Sequence, residues 1–372
     1  MIRIRRSSAS GLPMLLLAVV ACGQLLVAGP ARASGVSPRH VTPAAAYAVG
    51  VTRCTFVDRT RSTPNFQTTP PSVLVSTRTL VTEIRYPISP VVGGSTESFG
   101  ATPALRSGGY PMIVFAHGYD ATPDTYARLL DAWVRAGFIV AAPLFPDESS
   151  AGVAAQHGVN TEDDLWNEPA DLTFVTRELL DASATRSASC PLVQGLIRAS
   201  QLALAGHSDG ATVVGILSYA HGTDPYGVSY QRLRAGLDFR ATMILSGQVD
   251  GVDRYVPLSP DPALLVIQSA QDQCNPARKA IQLYRSVRQH DKWFLELRSA
   301  HHLPPFDGAD VPAFNVVVNA SVRFLRIAVT GSTRTGGLLA YGNAHHRIAS
   351  MYHAGNGPAD PPPVTLVSCG HN

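Results

Sequence analysis

The sequence predicts an α/β fold, a mostly parallel sheet with helices on both faces, and three observations carry that prediction. Short, almost entirely apolar runs recur at Met112–Phe115, Phe138–Ala142, Leu202–Ala205, Ala241–Leu245 (with Thr242 as the one polar residue) and Leu264–Ile267, the mark of strands buried on both sides. Amphipathic stretches of helical period separate most of them. One run, Leu202–Ala205, ends in Gly206-His207-Ser208-Asp209-Gly210, followed by the helix-compatible segment Ala211 to Tyr219. Strand and helix alternate in this way from Met112 to Val329, as βαβ units require.

In chain order, the first segment is read as a targeting signal. Arg3, Arg5 and Arg6 precede a largely apolar stretch, Leu12 to Val27, and Ala31-Arg32-Ala33 supplies a cleavage site. Gly23, Gln24 and Gly29-Pro30 leave that stretch too short to span a bilayer. Val19-Val20-Ala21-Cys22 resembles a lipoprotein signal, but the residues after Cys22 stay apolar, so cleavage after Ala33 is the favoured reading and lipid anchoring through Cys22 the alternative. Of the 30 Lys and Arg, four lie in residues 1–33, which leaves 26 basic against 27 acidic residues in the 339 that follow. A chain so balanced has no general attraction for nucleic acid or anionic membrane.

The expected organisation is therefore a signal peptide (1–33), a catalytic domain (34–330) and an irregular C-terminal tail (331–372). Cys54, Cys190, Cys274 and Cys369 form an even set, expected as two disulfides in an oxidising compartment, with three pairings open. None sits in a C-x-x-C pair, which argues against zinc.

Residues 34–70, rich in Pro, Thr and Ser, are expected to wrap the surface, and Val73 to Tyr86 to form an early antiparallel strand ending at Pro87. Tyr126, Leu129, Leu130, Trp133 and Val134 fall on one helical face, and Gly137 stops that helix. Residues 144–168 lack a clear period and are a candidate cover for the site. Leu172, Val175, Leu179 and Leu180 mark a second helix. Trp293–Leu297 is a further strand, and Pro276–Gln289 and Val311–Val329 are helices.

The chemistry centres on Ser208. G-x-S-x-G between strand and helix is the context of a nucleophile elbow, with Gly206 and Gly210 removing Cβ atoms that would clash at so sharp a turn. A serine hydroxyl needs a base, and the base an orienting acid. On this scaffold acid and base follow the serine in that order. Asp272 stands just beyond the strand Leu264–Ile267, with Asp250 and Asp253 as rivals. A histidine follows the strand Trp293–Leu297, either His301 or His302, which the residues alone do not separate. His207 points away from the nucleophile in such an elbow and is read as packing. The oxyanion donors are expected to be the backbone N–H groups of Asp209, after the serine, and Tyr119, in the loop His117-Gly118-Tyr119.

Four stretches resemble the secreted bacterial serine hydrolases of the α/β-hydrolase superfamily: P-M-I-V-F-A-H-G-Y (111–119), A-G-F-I-V-A-A-P (136–143), A-G-H-S-D-G (205–210) and H-L-P-P-F (302–306). The chain is most similar to the lipase and cutinase-like group bordering platelet-activating-factor acetylhydrolases and chlorophyllases. The resemblance spans roughly residues 70–330. Ala211 departs from it where many relatives carry a second glycine, a difference that bears on helix packing. It implies that His302, standing directly before Leu303-Pro304, is the base. The resemblance also implies a secreted esterase or lipase acting on a small-molecule or lipid ester; that chemistry needs no cofactor and no metal. The charge balance and short apolar leader give no expectation of a nucleic-acid partner or of a transmembrane segment in the mature chain. The rival class is a catalytically silent binding protein on the same fold; an acyltransferase or peptidase would use the same triad.

Overall fold

The computed structural model describes residues 47–90, 97–185, 187–248, 262–288, 291–332, 337–360 and 365. The signal segment, Cys22, Cys369, Asp250, Asp253 and the Pro361–Pro363 run lie outside them.

Twelve strands are present among the described residues: β1 (Ala48–Asp58), β2 (Thr63–Asn65), β3 (Ser72–Val75), β4 (Arg78–Ile88), β5 (Glu97–Phe99), β6 (Tyr110–Ala116), β7 (Ile139–Pro143), β8 (Ile197–His207), β9 (Phe239–Leu245), β10 (Ala263–Ser269), β11 (Lys292–Leu297) and β12 (Ala349–His353). The helices are α1 (Ala127–Arg135), α2 (Ser150–Ala155), α3 (Glu168–Ala184), α4 (Asp209–Tyr219), α5 (Tyr230–Leu233), α6 (Ala277–Ser286), α7 (Pro304–Asp307), α8 (Val311–Ala328) and α9 (Leu338–Ala344). Ten strands make one sheet in the order β12-β11-β10-β9-β8-β6-β7-β4-β1-β5, and β2 and β3 form a small hairpin. From β7 to β11 all pairings are parallel; β12, β4 and β1 add antiparallel neighbours.

Side chains in the parallel strands alternate between two cores. Met112 and Val114 of β6, Leu202 and Leu204 of β8, and Leu264 and Val266 of β10 face α3, α4 and α6. Ile113 and Phe115, Ala203 and Ala205, and Leu265 and Ile267 face α1 and α8. Both faces are covered, which is why these strands read as unbroken apolar runs rather than alternating ones. Helix α8 is the one described helix long and apolar enough to cross a membrane. Its Val316, Val317, Ala320 and Phe324 are instead buried against the sheet.

Three expectations need correction. Residues 48–58 do not wrap the surface: β1 runs antiparallel to β4 over its full length, and Val49, Val51, Cys54 and Phe56 are buried. The stretch Val73 to Tyr86 is two strands. It breaks at Ser76-Thr77, between the wholly exposed β3 and the buried β4. The expected irregular tail contributes α9 and β12, which pairs with β11; Met351 and Ala349 are buried there. In that short strand the apolar residues are too few to register as a period.

Cys54 and Cys190 form a disulfide that ties β1 to the segment before β8 across 136 residues. Closing so long a loop contributes about 4–5 kcal/mol in the chain-entropy account. Cys274 is also disulfide-bonded.

Candidate active site

Strand β8 runs directly into α4, and Ser208 is the hinge, with φ 57° and ψ −122°. A non-glycine residue is held there only when its surroundings over-determine it. The surroundings are tight. A Cβ on Gly206 would strike the carbonyl of Gly210, and one on Gly210 would strike the carbonyl oxygens of Ala116 and His117. The Ser208 N–H donates to the Leu245 carbonyl at 3.1 Å, anchoring the turn to β9. Helix α4 behind it is buried from Gly210 to Tyr219 and sits among the sheet, α3, α5 and the 3-10 turn at 162–166.

The loops after β10 and β11 bring two further side chains to the hydroxyl. His302 Nε2 lies 3.0 Å from Ser208 Oγ, and His302 Nδ1 lies 2.8 Å from Asp272 Oδ2. Asp272 is fully buried. Its Oδ1 accepts the N–H groups of Cys274 at 2.9 Å and Asn275 at 2.8 Å, and its Oδ2 accepts Gln268 Nε2 at 3.2 Å. A buried carboxylate saturated in this way holds one orientation. His301, the other histidine of the pair, is exposed. The residue pattern could not separate the two; the loop geometry turns only His302 toward both partners.

The loop after β6 forms the other wall. His117 is buried and its ring is fixed on both sides. The Phe145 N–H donates to Nε2 at 3.1 Å, so Nδ1 carries the proton and donates to the Gly118 carbonyl at 2.9 Å. Burial pushes its pKa down to about 4, so the ring is neutral. The Tyr119 N–H has no acceptor among the described residues. Its side-chain hydroxyl meets Thr161 Oγ1 at 3.5 Å. Tyr119 and Asp209 line the same cavity as Ser208.

That cavity has a volume of about 910 Å³. Glu162, Leu165 and Trp166 line it, so the 144–168 segment forms part of its wall, through the 3-10 turn Glu162–Trp166. Asp272, Cys274 and His302 lie within 4.8 Å of one another. They do not make a ligand set, because the Cys274 sulfur is in a disulfide and the Asp272 and His302 atoms are bonded to each other.

Sequence reasoning missed the supports: Gln268 and Asn275 around the acid, His117 within its loop, and the hydrogen bonds of His207 and Tyr126. Asn275 also donates to the Ser246 carbonyl at 2.7 Å. A polar residue three or four positions from an acid carries no sequence signal of its own, so only the fold reveals these contacts.

A chlorophyllase family model matches residues 95–269. The match takes in the 117–119 loop and the elbow, and it ends before Asp272 and His302. No curated protein matches the chain. Among solved structures, a ferulic acid esterase from Streptomyces cinnamoneus superimposes with a TM-score of 0.56 at 16% sequence identity, covering 78% of this chain and 93% of that one. The chain shares the fold of this esterase, and the two matches together support a carboxylic-ester hydrolase of the esterase- or lipase-like α/β-hydrolase kind.

Proposed function

We propose that the chain is a secreted serine esterase that cleaves carboxylic esters through an acyl-enzyme on Ser208. The observation that carries this reading is the continuous line Ser208–His302–Asp272, with steps of 3.0 and 2.8 Å. His302 Nε2 takes the hydroxyl proton as Ser208 Oγ bonds to the ester carbonyl carbon. Asp272 holds Nδ1–H and stabilises the imidazolium that forms. The N–H groups of Tyr119 and Asp209 receive the developing oxyanion. As the tetrahedral species collapses, the C–O bond breaks and His302 returns its proton to the departing alcohol. Water then enters, loses a proton to His302 and releases the acid, restoring Ser208. All of these groups belong to the chain.

Secretion, with cleavage after Ala33, is supported by the order of charged, apolar and A-x-A residues at the N-terminus. The Cys54–Cys190 disulfide is consistent with an extracellular protein. N-terminal sequencing of the exported protein should begin at Ser34; a lipid-modified Cys22 would overturn that assignment.

The substrate is an ester small enough for one face to enter a cavity of about 910 Å³. Hydrolysis of p-nitrophenyl esters of graded acyl length tests the activity and ranks the acyl groups. An active preparation with a clear optimum is expected. Wild-type protein that cleaves no activated ester would contradict the reading.

A further inference from the structure

The G-H-S-D-G motif holds a histidine beside the nucleophile that the reaction does not use. His207 is buried, and its ring bridges two loops. Its Nε2 lies 3.2 Å from the backbone carbonyl of His302, and its Nδ1 lies 2.9 Å from the hydroxyl of Tyr126. That hydroxyl in turn accepts the Gly118 N–H at 3.3 Å.

The direction of every bond follows from the groups present. A carbonyl only accepts, so His207 Nε2 carries a proton and donates to it. Burial and the neighbouring His302 hold the imidazole neutral, so Nδ1 is an acceptor and the Tyr126 O–H donates to it. Burial likewise keeps the Tyr126 phenol protonated, and its oxygen is left to accept from Gly118. The chain of bonds therefore begins at Gly118, in the loop that carries Tyr119, and ends at the backbone of the base. Packing fixes the ring further: His207 contacts His302 at a centroid distance of 4.6 Å and Phe306 at 4.9 Å.

We infer that His207 and Tyr126 are positioning residues that set the oxyanion loop and the His302 loop in one register about Ser208. The inference rests on the proposed roles of Ser208 and His302. Gly118 packs against Ser208, and His302 sits over it, so a shift of either loop changes the distance across which proton and oxyanion are handled. Neither His207 nor Tyr126 has to touch substrate for this. Their loss should be felt where geometry matters most, in the transition state, and little in substrate binding.

The test uses Tyr126→Phe, His207→Phe and the double variant in the full exported protein. Three readouts are taken: steady-state hydrolysis of p-nitrophenyl acetate, inhibition by phenylboronic acid, which forms a tetrahedral adduct on serine, and Tm. Each single variant is expected to lose about tenfold in kcat, with KM within about twofold, and to bind the boronate about tenfold more weakly. Because both residues act in one relay, the double variant should be no more than about twofold worse than the worse single. Variants with lowered Tm but unchanged kcat and boronate affinity would show plain packing and overturn the inference. Losses that multiply in the double variant would also overturn it. Tyr126→Phe keeps the ring and its packing, so it decides the matter even if His207→Phe fails to fold. A wild-type protein inert to both ester and boronate would instead bring down the functional reading on which the relay rests.

Discussion

A Cβ added to Gly118 would stand 2.9 Å from the Cβ of Ser208, so the loop after β6 lies directly against the proposed nucleophile. Gly118 does not have a positive φ. Its backbone conformation is open to alanine, and the effect of substitution is steric. Gly118→Ala should push the Tyr119 N–H away from the carbonyl oxygen it is proposed to bind. We expect kcat to fall at least about tenfold, against the 10²–10³ typical of a lost oxyanion donor, with a stability loss of about 1–3 kcal/mol. Kinetics and thermal melts check this; a variant with wild-type kcat would place the oxyanion donors elsewhere.

The proposed reading gives His301 and His302 different roles. Ser208→Ala and His302→Ala should each lower kcat by several orders of magnitude, and their combination should be scarcely worse than either, because the residues act as a unit. Asp272→Asn leaves serine and imidazole in place but favours the wrong tautomer, so its loss is expected to be somewhat smaller. His301→Ala, exposed and outside the line of hydrogen bonds, should retain near-normal turnover. A dead His301→Ala beside an active His302→Ala would reverse the assignment.

Glu148 and Glu168 are completely buried. Burial first, and then negative neighbours (Asp209 for Glu148, Glu148 for Glu168), raise both above the usual carboxylic range. Asp147 is pushed up to about 7, chiefly by burial. A carboxyl whose folded pKa lies above its unfolded value near 4.5 costs nothing at lower pH. As pH rises past that value the unfolded chain gives up its proton and the folded one resists, so stability falls. Glu148→Gln cannot titrate. Its Tm relative to wild type should therefore increase steadily from pH 4 to pH 8, as differential scanning calorimetry would read. A difference independent of pH would show that the carboxyl is not held protonated.

The cavity lining contains Asp120, Glu162 and Asp209 and, among the described residues, no Lys or Arg. An ester bearing a carboxylate brings like charge into a partly desolvated cleft. Its kcat/KM should be at least about tenfold below that of a neutral ester of equal length, and the gap should narrow with added salt. Glu162→Gln, on the exposed rim, should narrow it too. Equal rates on neutral and anionic esters would show that these acids do not govern selection.

What the sequence disclosed depended on period and punctuation. The five apolar runs of the parallel sheet stood out because both faces are buried, and Gly206 and Gly210 marked the elbow because only glycine tolerates those contacts. Strand β1 was hidden: its Gly, Thr, Arg and Cys residues alternate in burial only because β4 lies alongside it. Strand β12 was hidden for the same reason, since its pairing with β11 is a tertiary event. Within the site, Ser208 and Asp272 could be placed from their positions after strands, whereas position alone left the base open between His301 and His302. The supports could not: the hydrogen bonds of Tyr126 and His207 join segments 81 and 95 residues apart, and Gln268 and Asn275 stand beside the acid with no sequence signal of their own.

A covalent intermediate on Ser208 is the step on which the proposed chemistry turns, and intact-mass spectrometry after exposure to a fluorophosphonate reads it. A single adduct is expected on wild-type protein, mapped by peptide sequencing to Ser208, with esterase activity lost in step and Ser208→Ala left unmodified. Wild-type protein that takes no label, or takes it at another serine while hydrolysing esters, would rule out Ser208 as the nucleophile.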